Sequence, residues 1–116
     1  MADNVVLDKS FDFALRISKL YRYLVDVKKE FVLSKELLIA GTHIGKHVKE
    51  AVAAESRAVF MTEFGVARRK ASETEYWLQL LRHSELLSET EYLPIESDPC
   101  RDNKIGKRDH RHVEKK

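Results

Sequence analysis

The stretch AGTHIGKHVKEA, residues 40–51, sets two imidazoles four positions apart. On a helix that spacing brings His43 and His47 to one face, where they can share a transition metal. Glu50, three residues after His47, can add an oxygen ligand. A metal-dependent enzyme built on His43, His47 and Glu50 is therefore one reading of this chain. The zinc-protease pattern needs Glu directly after the first His, and Ile44 stands there. A helical histidine pair also needs a third ligand held by another element, and the sequence names none. No metal ligand, catalytic residue or cofactor is assigned on this basis. The pair is read instead as the polar edge of a packing helix.

Other candidates carry less. Glu73 and Glu75, two apart, cannot share a helix face and make no carboxylate dyad. Cys100 is the single cysteine and excludes an internal disulfide framework. His110 and His112 lie among the basic residues of RDHRHVEKK. No phosphate-binding glycine loop and no Ser-His-Asp order is present. The cations offer more. ARRK, residues 67–70, together with the lysines of the histidine stretch, gives Lys46, Lys49, Arg68, Arg69 and Lys70. If two helices bring them together, they form a positive patch for nucleic-acid phosphates, with salt-sensitive and sequence-independent binding. Residues 101–116 add seven Lys/Arg against three Asp/Glu, whereas residues 1–100 hold 14 against 16. Such a basic tail is a solvated end or an arm for a polyanion.

These residues must be positioned by helices. The 116 residues suggest one domain, and four Gly and two Pro leave few tight turns. No apolar run approaches a membrane span. The start, MADNVVLDKS, lacks a charged segment followed by an apolar one, so the cytoplasm is the expected compartment. Over 9–29, Phe13, Ile17, Leu20, Leu24 and Val27 recur at helical spacing opposite Asp12, Arg16, Lys19, Arg22 and Asp26. A second helix is predicted over 34–53, with Ser34 or a residue slightly earlier as its cap. Its stripe is Leu37, Ala40, Gly41, Ile44, Val48 and Ala51, and Gly41 and Gly45 predict close approach of a neighbouring backbone. A third spans 56–86, with Phe60, Phe64, Ala67, Ala71, Thr74, Leu78 and Leu81 in heptad-like steps. Arg69 and Glu73 can pair on its outside, and either Tyr76 or Trp77 should pack in the core or at a subunit contact. SETE, residues 88–91, reads as a capping box opening a fourth helix. Pro94 and Pro99 then interrupt, and after Arg101 no apolar stripe continues.

AGTHIGKHVKEA and AESRAVFMTEFGVARRKASETEYWLQLL, ending in Glu73, Thr74, Glu75, Tyr76, Trp77 and Leu78, carry a resemblance. The chain resembles the small bacterial four-helix-bundle proteins encoded within intervening sequences of large-subunit ribosomal RNA genes. The accessory variability protein of diversity-generating retroelements is a related bundle. The resemblance implies an all-α, up-down antiparallel four-helix bundle, here with a short or degraded fourth helix. It also implies homo-oligomers, pentamers in several members, and a nucleic acid or a nucleic-acid enzyme such as a reverse transcriptase as partner. This chain departs from the family at His43, Lys46 and His47, where Ser, Ala and Asn are usual, and after Asp98, where a long apolar helix is usual.

The expectation is thus a helical bundle over 1–99 and a basic polar tail over 100–116. The expected role is non-enzymatic assembly or binding, with no membrane contact.

Overall fold

Helix α1, Val5–Asp26, forms where its apolar residues fall at three- and four-residue spacing. Phe13, Ile17, Leu20 and Leu24 are buried along one stripe. The computed structural model describes residues 5–88. Two further helices follow, α2 over Leu33–Val52 and α3 over Arg57–His83, and no strand occurs among the described residues. The predicted fourth helix and the basic tail lie outside the described residues.

The stripe of α1 ends before Val27, which is 61% exposed. The chain leaves the helix after Asp26 because Lys29 adopts a left-handed backbone, φ 58°. The following residue, Glu30, stands three positions before α2 begins at Leu33. Glu30 folds its carboxylate back over the open turn and accepts from the backbone N–H groups of Val32, Leu33 and Ser34 at 3.2, 2.8 and 2.7 Å. These donors have no partner inside the helix, and a carboxylate also suits the positive end of the helix dipole. The cap thus lies slightly before Ser34: Val32 holds the N-cap position and the Glu30 side chain does the capping. Ser34 is buried and donates its hydroxyl to the Glu30 carbonyl at 2.8 Å.

On α2, Leu37, Ala40, Gly41, Ile44, Val48 and Ala51 are all buried, as the spacing requires. A Cβ added at Gly45 would stand 3.3 Å from the backbone oxygen of Ser10, and one at Gly41 would stand 2.9 Å from the Ile17 side chain. The two glycines do admit close approach, by α1. The register runs backwards, Gly41 to Ile17 and Gly45 to Ser10, so α1 and α2 are antiparallel. His47 meets Glu63 in the same reversed sense, so α3 is antiparallel to α2. Helix α2 packs against both neighbours, while α1 and α3 make no close backbone approach to one another.

Ser56 caps α3, its Oγ accepting from Val59 N–H at 3.1 Å. Ala67, Ala71, Thr74, Leu78 and Leu81 are buried. Phe64 is only partly covered and Phe60 is exposed, so the buried stripe of α3 begins at Ala67. Their rings stack with centroids 5.5 Å apart. Glu73 pairs with Lys70 at 3.3 Å rather than with Arg69, since positions three apart are also neighbours on a helix. Trp77 is the aromatic that packs on the core, and Tyr76 is exposed. Helix α3 closes at His83 and not at 86. Glu85, at φ 65°, takes the left-handed position of a Schellman turn. Its N–H donates to Arg82 O at 3.1 Å, and Leu86 N–H donates to Leu81 O at 2.9 Å.

Each buried hydroxyl is satisfied locally. Ser10 donates to Leu7 O at 2.9 Å and Thr74 to Lys70 O at 2.7 Å. The core can then stay dry without stranding a polar group.

Candidate functional site

Because α2 and α3 run antiparallel, residues equidistant from the turn at Glu55 face one another. His47 and Glu63 are such a pair. The His47 Nδ1–H donates to Glu63 Oε1 at 2.8 Å across the seam between the helices. Glu50, one turn further along α2, has its Oε1 3.9 Å from the same nitrogen. The ligand atoms of His47, Glu50 and Glu63 all lie within 4.8 Å of one another. The side chains of His47 and Glu63 are 16% and 24% exposed, and that of Glu50 is 49% exposed. The site is therefore partly covered at His47 and Glu63 and open to solvent at Glu50.

His43 stands beside this group but does not enter it. Its ring lies edge-on to that of His47, with centroids 6.1 Å apart. Burial, then the positive charges of Lys46 and Lys70, hold the His43 imidazole below its ordinary pKa, so it stays neutral at physiological pH. The trio His43, His47 and Glu50 therefore changes membership. Glu63 takes the place of His43, because α3 supplies a carboxylate directly opposite His47. No local spacing in the sequence could announce Glu63, which lies 16 residues from His47. Only the register of the α2–α3 hairpin reveals it.

The five candidate cations are arranged unevenly. Lys46 on α2 and Lys70 on α3 both lie near enough to His43 for their charges to lower its pKa. Lys49 is exposed one turn beyond Lys46. Arg68 and Arg69 are exposed on α3. Successive helical residues turn about 100°, which puts Arg68 about 200° around α3 from Lys70 and away from the seam. Lys46 and Lys70 are thus the two candidates that share a neighbour, while Arg68 points to another side of α3. Lys70 also shares its charge with Glu73. No helix among the described residues is long and apolar enough to cross a membrane.

The comparisons agree with this architecture. The model of the 23S rRNA-intervening sequence protein family matches residues 2–101. The chain belongs to this family. A solved structure of a protein of unknown function from the S23 ribosomal protein family of Bacteroides thetaiotaomicron VPI-5482 is 46% identical to this chain. It superposes with a TM-score of 0.83, covering 86% of this chain and 93% of that one. No curated protein matches. The resemblance read from GTHIGKHVKEA and ETEYWL thus led to the right family.

Proposed function

We propose that this intervening sequence protein is a non-enzymatic assembly and binding protein whose bundle associates with further copies of itself. The observation that carries this reading is the set of large apolar side chains left exposed outside the core. Phe11 and Leu15, one turn apart on α1, are 62% and 49% exposed. Val59, Phe60 and Met61 are exposed at the start of α3. Apolar groups set together on a small body favour a protein contact, and closed assemblies of identical subunits cover the same patch on every copy. Pentamers, as in family members, are the narrower form of the proposal. Chemical cross-linking of dilute protein tests it. A ladder that loses its upper bands when Phe11 and Leu15, or Phe60 and Met61, become Ser supports the reading, and a chain that never cross-links to itself refutes it.

Within each copy, α1 and α3 both pack on α2 without close backbone approach to one another, which suits the diagonal positions of an up-down bundle. A fourth helix beginning at Ser88 would stand between them and complete the four-helix form. This is part of the same proposal.

The nearness of Lys46 and Lys70 to one neighbour, His43, favours a nucleic acid as the bound partner. Residues 1–100 hold 14 Lys/Arg against 16 Asp/Glu, so the attraction would come from this local group and not from the net charge of the body. Its cations would meet phosphates without reading bases. An adaptor role beside a reverse transcriptase is the most specific version of this reading. Binding of labelled structured RNA across a salt series is the test.

A further inference from the structure

We propose that His47, Glu50 and Glu63 form a binding site for a divalent first-row transition cation that ties α2 to α3. The ligands come from two helices. His47 and Glu50 lie one turn apart on α2, and Glu63 faces them from α3. Metal–ligand bonds to imidazole nitrogen and carboxylate oxygen are about 2.0–2.2 Å. Neighbouring ligand atoms around such an ion stand about 3.0 Å apart in octahedral and about 3.4 Å apart in tetrahedral geometry. The distances from His47 Nδ1, 2.8 Å to Glu63 and 3.9 Å to Glu50, bracket those values. The third separation, Glu50 to Glu63, lies within 4.8 Å, so the three ligand atoms need to draw together only modestly around an ion.

The chemistry suits a borderline cation. One imidazole and two carboxylates offer nitrogen and oxygen donors, which zinc, iron(II), manganese and cobalt accept and which lack the thiolates of a soft-metal site. Two ionised carboxylates match the charge of the ion. The proton now shared between Nδ1 and Glu63 must leave that nitrogen. The neutral tautomer protonated at Nε2 presents the required lone pair, so the ring itself need not lose a proton. Lys46 and Lys70 oppose a cation, but both stand on the His43 side of the cluster, and Lys70 is paired with Glu73. Three protein ligands leave a coordination position for water. An ion that bridges the two helices binds the folded hairpin and not the unfolded chain, so it rigidifies the seam whatever else the protein does.

The rival account is a plain His47–Glu63 hydrogen bond with Glu50 as a bystander. Zinc titration calorimetry on full-length, tag-free protein separates the two. His110→Asn and His112→Asn are introduced first, to silence the imidazoles of the tail. The site predicts one zinc per chain. His47→Gln, Glu63→Gln and Glu50→Gln should each weaken binding by at least about tenfold, while His43→Gln should change it by less than about threefold. Glu50 is exposed, so its variant reports on the site even if another fails to fold. X-ray absorption at the zinc edge should show one imidazole and otherwise oxygen ligands. Absence of binding, binding indifferent to Glu50→Gln and Glu63→Gln, or loss of binding in His43→Gln would each overturn the assignment.

Discussion

Gly41 lies so close to Ile17 that an added Cβ would stand 2.9 Å from both of the Ile17 Cγ atoms. Ile17 is fully buried and β-branched, so it has little room to yield. Gly65 faces open space. The two glycines should therefore respond oppositely to alanine. Gly65→Ala should stabilise by roughly 0.5–1 kcal/mol through helix propensity. Gly41→Ala should destabilise by about 1–2 kcal/mol once overpacking exceeds the same propensity gain. Chemical denaturation of both variants checks the pair, and equal shifts of the same sign would contradict the close helix contact.

The Glu30 cap predicts a pH signature. Burial raises its pKa, but the N–H groups of Leu33, Ser34 and Val32 and the Ser34 hydroxyl together hold it below the ordinary glutamate range. A depressed carboxylate favours the folded state above its unfolded pKa and loses that contribution as pH falls through the folded value. Glu30→Gln should cost about 1 kcal/mol at neutral pH. The difference from wild type should shrink progressively below about pH 4.5. Thermal melts from pH 7 downwards measure it, and a gap that stays constant would remove the cap from the account.

Glu85 occupies a left-handed position that glycine fills without steric cost. Glu85→Gly should raise stability by about 0.5–1 kcal/mol, less the added freedom of the unfolded chain. Glu85→Val should lower it, since a β-branched residue tolerates that backbone poorly. Melting temperatures of the two variants decide, and a lower value for the glycine variant would show that the turn is not a Schellman closure.

The cation group makes a separable prediction. Lys46→Ala with Lys70→Ala should lower RNA affinity and reduce the salt slope by about one to two phosphate contacts. Truncation after residue 99 should leave that part of the slope in place. If truncation abolishes the whole slope, the tail alone is responsible and the seam is not a nucleic-acid surface.

The sequence revealed the helices and the residues they bury because both follow from periodicity. Leu37 to Ala51 on α2 and Ala67 to Leu81 on α3 are buried as their spacing requires. Ends were less legible. Glu30 resembles any loop acid until its carboxylate is seen over the α2 terminus, and Lys29 and Glu85 take a conformation that favours glycine. The candidate metal cluster was half visible. His47 and Glu50 are neighbours in sequence, but Glu63 joins them only through the hairpin register, which depends on how α2 and α3 pack. The same reason splits Arg68 from Lys70, two residues apart in sequence and on different sides of α3.

Sedimentation velocity of the full chain over a range of concentrations tests the assembly reading most directly. The account predicts a species whose mass is a multiple of the 13.5 kDa chain. It also predicts a shift towards monomer when Phe11 and Leu15, or Phe60 and Met61, are replaced by Ser. A single 13.5 kDa species at every concentration would contradict it, leaving the exposed apolar residues without the partner proposed here.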